Sequence, residues 1–424
     1  MQRITLRQAR PGMTLARGVQ DPGNGQQVLL EHGVRLSTRA IVCLHEAGIF
    51  DLWVNWPGLE QFESFAQATF SDSQRHLGES VRQGFINQSE ILAVSPLAFS
   101  QLDESASLLA RPVFEAAAPC LSLEECLASN GETILRHGAE VALLTLTLAR
   151  RLENYIIQER RWTSTRPMRD LTNLALGCLF HDIGESRLPG TQRTALAQAG
   201  ALGADTPDAE EEGWFKHPQV GYDMIRRQID PVAASMVLHH HRHFDGTGFG
   251  GSDPAAGGGG SESGGRRQHI FWRLLTATDT LDHLRKQDGV PMPMVYALNQ
   301  IQKASYAQWL DPVVLQALLE LVPAFVPGML VRLSNGRSGV VEFCDQALPC
   351  CPAVRLLASG LDHEVMEPET AVDDLNRDVI DLRYNGSCWV QAIDGTDVAD
   401  YLYGRMPERH SPEPEIPREL ALVA

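Results

Sequence analysis

The chain has 424 residues, 43% hydrophobic and 21% charged, the balance of a soluble globular protein with room for roughly two to four domains. With 36 Lys and Arg against 53 Asp and Glu, the formal net charge is −17. That argues against a broad nucleic-acid-binding or anionic-membrane surface, but not against a small anionic ligand, because a bound metal supplies local positive charge.

No run of about 18 apolar residues appears, so no membrane span is expected. Met1 to Arg7 lacks the continuous apolar core of a signal peptide, and the eight Cys contain no CxxC pair. The expectation is a cytoplasmic protein with reduced, mostly buried thiols.

Residues 1–60 read as a small β-rich domain. Pro11-Gly12, Asp21 to Gly25 and His32-Gly33 are turn signals, and Val28–Leu30 and Leu52–Val54 are the expected strands. Ser37 should cap a helix over Thr38–Ala47, whose Cys43, His45 and Glu46 read as a solvated face rather than a metal cluster. Residues 61–130 read as a helical connector, with helices over Asp103–Ala118 and Leu123–Ala128. Residues 131–323 read as a helical body: Ile134–Leu152, Leu171–Asp182, Glu210–Arg227, Val232–His241, Phe271–Arg285, Met294–Lys303 and Pro312–Leu321. Asp230-Pro231 and Asp311-Pro312 are each an N-cap followed by proline at the first helical position. The glycine-rich tract from Ala255 to Gly265 reads as a mobile surface loop. Residues 324–405 return to β signals, with a hairpin of Met329–Leu333 and Gly339–Cys344 around Asn335-Gly336, and a further strand at Val354–Leu357. Residues 406–424 read as a disordered tail. The expected fold class is mainly α, a helical bundle flanked by small β-containing N- and C-terminal units.

The chemistry concentrates in the body. His181-Asp182 closes an apolar run, Leu174 to Phe180, and offers a neutral nitrogen beside a carboxylate able to bridge two metals. His137, His217, His240, His241 and Asp279 stand on or at the ends of neighbouring predicted helices. Burying so many His and Asp without partners costs several kcal/mol each, roughly, and a metal offsets that cost. Two metals about 3.5–4 Å apart would use six or seven protein ligands, the number at hand. In the run His239 to His243, neighbours on a helix point about 100° apart. Three in a row therefore cannot all face one centre; one or two are ligands.

Order and spacing resemble the HD-GYP branch of the HD-domain metal-dependent phosphohydrolases. That pattern is an upstream His, HDIGK, HPxxG, HHExxDGxGYP, and a later Asp. The chain reads His137; His181-Asp182-Ile183-Gly184-Glu185; His217-Pro218 with Gly221; His240-His241-Arg242 with Asp245-Gly246 and Gly248-Phe249-Gly250; and Asp279. The flanking stretches that begin Pro11-Gly12-Met13 and Pro327-Gly328-Met329 also look like the small outer domains of some relatives.

The resemblance implies a phosphodiesterase that splits cyclic di-GMP on two divalent metal ions, iron or manganese. It implies His137, His181, Asp182, His217, His240, His241 and Asp279 as ligands, with His181 and Asp182 catalytic. Arg242, Asp245, Gly246, Gly248, Arg285 and Lys286 are the substrate-side candidates. The chain also departs from the pattern. Glu185 stands for the Lys, Arg242 for the Glu and Phe249 for the Tyr, and Asp288 to Pro291 replaces an Arg-Pro-Tyr-Arg stretch. Thr133 stands where a carboxylate would hold a third metal, with Glu132 an imperfect substitute. Three functions are therefore carried forward: hydrolysis of cyclic di-GMP or its linear product; a non-catalytic module that binds a nucleotide, a signalling protein or a second copy of the chain; and hydrolysis of another phosphate ester.

Overall fold

The structure, a computed structural model, describes residues 2–6, 9–16, 18–20, 28–47, 49, 51–55, 133–159, 171–187, 215–250, 264–287, 290–357 and 379–404. The expected connector helices, most of the glycine-rich tract and the tail lie outside these residues.

In the N-terminal stretch, β1 (Gln2–Thr5), β2 (Val19–Gln20) and β3 (Val28–Leu30) precede α1 (Thr38–Glu46) and β4 (Asp51–Val54). β1 pairs antiparallel with β4, and β2 with β3. The Ser37 side chain accepts from Ala40 N at 3.1 Å, the cap its position predicts. Ile4, Leu15, Leu36, Leu44, Leu52 and Val54 form this stretch's own small core.

The helical body opens with α2 (Thr133–Arg151) and α3 (Glu153–Glu159). α4 (Thr172–Phe180) follows, then a 3₁₀ segment over Ile183–Arg187, α5 (His217–Ile225), α6 (Pro231–His239) and α7 (Ile270–Leu284). α4 is buried on every side from Leu174 to Phe180, as an all-apolar helix must be, and packs against both α2 and α6. α7 lies against α2 and is almost wholly buried. The Asp230 carboxylate accepts from Val232 N at 2.8 Å to start α6, with Pro231 at its first position.

A short strand pair, β5 (Lys286–Gln287) and β6 (Val290–Pro291), leads to α8 (Met294–Ile301), α9 (Ala304–Ala307) and α10 (Pro312–Leu321). Asp311 caps α10 through Val313 N at 2.9 Å. Several expected helix ends move, three of them near the site. Leu171–Asp182 stops at Phe180, Val232–His241 stops at His239, and the described part of Glu210–Arg227 starts its α-helix only at His217. The first two changes matter for the site, because they put four of its side chains on turns.

The C-terminal strands are β7 (Leu330–Leu333), β8 (Ser338–Phe343), β9 (Ala353–Leu356), β10 (Val379–Asp381), β11 (Val390–Ile393) and β12 (Thr396–Asp397). They form one antiparallel sheet in the order β10-β9-β8-β7-β11-β12. The β7–β8 hairpin turns at Asn335-Gly336, where Gly336 takes φ 82°. This sheet corrects the expected fold class. It is not a small unit set apart from the helices, because Val331, Leu333, Val341, Val354 and Val390 share one continuous core with Leu298, Leu310, Leu318 and Phe325. The fold is α plus β. The reason is visible in the burial: β8 buries Ser338 through Val341 consecutively, so its apolar residues need more cover than a solvated two-faced unit gives. Of the cysteines among the described residues, Cys178, Cys350, Cys351 and Cys388 are buried free thiols and Cys43 is exposed.

Candidate metal centre

α4 ends just before His181, so His181 and Asp182 sit on a turn rather than on the helix. The 3₁₀ segment that follows presses against α5 with almost no gap. A Cβ on Gly184 would stand 2.0 Å from the His217 carbonyl oxygen, and one on Gly221 would meet Val237 Cγ1 at 2.9 Å and Gly184 N at 3.1 Å. Both glycines are therefore required for the backbones to approach. That approach brings the Asp182 carboxylate to His217.

α6 ends at His239, and the next two residues are again on a turn. The run of histidines thus escapes the helical spacing. His239 packs against Trp272, with ring centroids 4.0 Å apart and the planes tilted by 42°, while His240 and His241 both turn to the interior. The loop after them closes back on the same turn. Phe249 N donates to the His241 carbonyl at 3.1 Å, and Gly248 takes φ 84° where a Cβ would lie 2.1 Å from that oxygen.

Two donor sets result, and Asp182 belongs to both. Its Oδ1 lies 3.5 Å from His217 Nε2 and 3.3 Å from His240 Nε2, and those nitrogens are 3.1 Å apart. His241 completes this first set. Its Oδ2 lies 3.2 Å from His181 Nε2 and 3.5 Å from His137 Nε2. Asp279 Oδ1 completes this second set at 3.0 Å from His137 Nε2 and 3.4 Å from His181 Nε2. Donors held about 2.1 Å from one ion lie roughly 3.0–3.4 Å apart, so both sets have the spacing of a coordination shell. All seven sequence-predicted ligands meet here.

The hydrogen bonds show which atoms face inward. His137 Nδ1 lies 2.6 Å from Asp282 Oδ2, His181 Nδ1 2.6 Å from the Cys178 carbonyl, and His240 Nδ1 2.8 Å from the Val237 carbonyl. Each therefore carries its proton on Nδ1 and aims an Nε2 lone pair at the centre, the orientation that outer partners impose on metal-binding imidazoles. The His137 and His181 Nε2 atoms stand 3.1 Å apart. Two lone pairs at that distance repel unless a proton or a cation lies between them. Asp279 Oδ1 is buried and makes no hydrogen bond. An orphaned carboxylate oxygen among converging lone pairs fits a cation and little else.

The electrostatics follow from the packing. Burial opposes charge on Asp182, but His181, His217 and His240 outweigh it and hold the carboxyl well below its ordinary range. Asp279 is held down likewise, against burial, by His283, His137 and His181. Burial also opposes charge on His137, yet the Asp279 and Asp282 carboxylates that face it push it up to about 10, and Asp182 and Asp279 raise His181. On the other side, burial drives His241 well below its usual value, helped by His240 and His217, and lowers His240.

The substrate-side candidates are largely engaged. Arg242 Nε donates to the Gly250 carbonyl at 2.7 Å. Asp245 accepts from Thr247 N at 2.9 Å, with Gly246 at φ 87° beside it, so Asp245, Gly246 and Gly248 shape the loop. Arg285 NH1 faces Glu140 at 3.6 Å and Asp282 at 3.4 Å, and Lys286 follows it in β5. Glu185 N donates to the Asp182 carbonyl at 2.9 Å. Two residues were missed in the sequence: Asp282, which orients His137, and His283, whose Nδ1 lies 3.0 Å from Asp279 Oδ1. Their spacing of three and four residues from Asp279 puts them on its helix face, which was a readable signal.

Residues 134–284 match the HD domain family, whose members are metal-dependent. A protein named as a cyclic di-GMP phosphodiesterase, from Pseudomonas aeruginosa, is 28% identical over 249 residues. Those residues make up 58% of this chain and 53% of that protein, so the match spans about half the length of the relative.

Proposed function

We propose, for a chain whose residues 134–284 are an HD domain of HD-GYP-like pattern, that it is a metal-dependent phosphodiesterase acting on cyclic di-GMP or its linear product. The observation that carries this reading is the Asp182 carboxylate, with one oxygen facing His217 and His240 and the other facing His137 and His181. A single carboxylate set between two donor sets would hold a cation on each side. Divalent ions there, iron or manganese by the donor types, supply the Lewis acidity that activates water near neutral pH and neutralises a phosphate.

The protein's own residues do the rest. Asp282, the Cys178 carbonyl and the Val237 carbonyl lock three imidazoles in one tautomer. Phe249 stacks on His241 at 4.4 Å and shields that ring from water. We take the domain to span residues 131–323, after a unit at 1–60 and a connector at 61–130, with the sheet of 324–405 built onto it, in a cytoplasmic protein. The test is to load purified protein with manganese or ferrous iron and follow cyclic di-GMP by chromatography. Metal-dependent turnover that Asp182→Ala abolishes is expected. Two bound ions without turnover, for any cyclic or linear dinucleotide, would overturn it.

A second reading is a non-catalytic module that binds a nucleotide, a signalling protein or a second copy of the chain. Glu185, in place of a cation, and Arg285, held by two carboxylates, favour it. Tight cyclic di-GMP binding without hydrolysis by the metal-loaded protein would decide for it.

A further inference from the structure

His283 belongs to neither donor set described above, and Thr133 stands where the family pattern has a carboxylate one turn before His137. Yet His137, Asp279 and His283 form a third group whose donor atoms all lie within 4.8 Å of one another. His283 Nδ1 stands 3.0 Å from Asp279 Oδ1, and its ring centroid is 4.8 Å from that of His137. Its side chain is 25% exposed, against 4% for Asp279, so it closes the centre on the solvent side.

We propose that His283 is an additional ligand of the second cation position, which then has five donors: His137, His181, Asp182 Oδ2, Asp279 Oδ1 and His283. The proposal rests on the metal reading above. His137 has only one nitrogen to give, because Nδ1 is held by Asp282. It cannot serve two ions, so the second and third groups describe one position rather than two. His283 is thus the imidazole on the solvent side of the Asp279 oxygen that faces His137 and His181.

His283 Nδ1 also lies 3.0 Å from the Asp279 carbonyl oxygen. With its proton on Nδ1 the ring bonds back to its own helix; with the proton on Nε2 it presents a lone pair beside Asp279 Oδ1. A cation at Asp279 selects the second tautomer, and no proton leaves the ring. The two positions then differ in kind. The first holds Asp182 Oδ1, His217, His240 and His241, a four-donor set, while the second has a fifth donor at the solvent edge.

The experiment uses the full chain loaded with cobalt(II), whose visible absorption is strong in four-coordinate sites and weaker in five-coordinate ones. Metal per chain is measured by mass spectrometry during titration with a chelator. His283→Ala, checked for folding by circular dichroism, should keep the first ion. It should lose the second at a chelator concentration about ten- to a hundredfold lower, at least the loss that an outer partner of a ligand brings. The cobalt band should intensify as the remaining second-site ion becomes four-coordinate. His283→Cys should restore retention and add a thiolate-to-cobalt band in the near ultraviolet. A chelator profile and spectrum unchanged in His283→Ala would overturn the ligand role alone. Weaker retention without the thiolate band in His283→Cys would leave His283 a positioning residue and also overturn it. A wild-type chain that binds no cobalt would overturn this inference and the metal reading together.

Discussion

α7 carries two buried charged clusters, and they are solved in opposite ways. Near its start, Arg273 donates to Asp311 Oδ2 at 2.6 Å, to Glu159 Oε2 at 2.8 Å and to the Tyr155 hydroxyl at 3.2 Å. Tyr155 in turn donates to Asp311 at 2.8 Å, and the other Asp311 oxygen caps α10. One cation meets two carboxylates. Burial and Asp311 push the Tyr155 phenol up to about 12, so it stays a donor. Six residues on, at Asp279, carboxylates and imidazole lone pairs converge with no arginine or lysine of the described residues paired to Asp279, and one oxygen has no hydrogen bond at all. The first cluster neutralises its charge within the protein, although Arg273 Nε is itself buried without a hydrogen bond. The second gathers acceptors and lone pairs whose arrangement fits a cation. Burial of charge alone therefore does not mark a functional site; burial without a counter-ion does.

The sharpest way to break this contrast is to remove the shared carboxylate. Asp182→Ala should take both cations with it, leaving less than one ion per chain and lowering hydrolysis at least about a thousandfold, well beyond the ten- to hundredfold cost of an outer partner. Arg273→Met should do the reverse. It removes the buried guanidinium that Asp311 and Glu159 share and leaves Asp311 with only neutral donors, which costs about 3–5 kcal/mol. For a body of this size that lowers Tm by roughly 6–20 °C, read by calorimetry, while metal content stays at the wild-type value. Loss of metal in Arg273→Met would show that the two clusters are coupled along α7 and that the contrast is false.

Much of the second cluster was readable from residue types. Seven His and Asp that no soluble core would bury unpaired stand at the ends of apolar segments, and all seven meet. What the pattern hid was local. Helical periodicity runs on through Asp182 and His241, so the turns that free those side chains were read as helix. Gly184 and Gly221 explain the close approach only once two backbones are seen together. Asp282 and His283 lay on the face of Asp279 at helical spacing, but one Asp suffices for the motif. The sheet was legible strand by strand in β7, β8 and β9. Its place in the main core was not, because which face a strand buries depends on partners far away in sequence.

Substrate contacts carry the contrast to the rim of the centre, and Glu185 sharpens it. It sits in the 3₁₀ segment directly after Asp182, half-buried at the rim of the centre. A lysine there would give a charge-assisted bond to a phosphate oxygen, worth about 1.5–3 kcal/mol. Glu185→Lys should therefore raise kcat/KM for cyclic di-GMP roughly ten- to a hundredfold with metal content unchanged. An unchanged kcat/KM, in an enzyme that Asp182→Ala inactivates, would place Glu185 outside the substrate's reach.

The smallest effect belongs to Phe249, which tests whether the centre is held by its donors alone. Its ring stacks on His241 at 4.4 Å with an interplanar angle of 23°, stands edge-on to His217 at 6.2 Å and is braced by Phe215 at 4.8 Å. Where the family motif has a tyrosine, this chain has a ring with no hydroxyl, set against two imidazoles of the first donor set. Stacking of this kind contributes about 0.5–1.5 kcal/mol beyond the area it buries. Phe249→Ala should therefore weaken metal retention at the first position roughly two- to tenfold in a chelator titration, and leave the second position as it was. Phe249→Tyr keeps the stack and should retain metal like the wild type, so a change in turnover there would report on substrate rather than on the centre. If Phe249→Ala released both ions equally, the ring would be supporting the whole fold of the turn. The separation of the centre into two independently held positions would then fail.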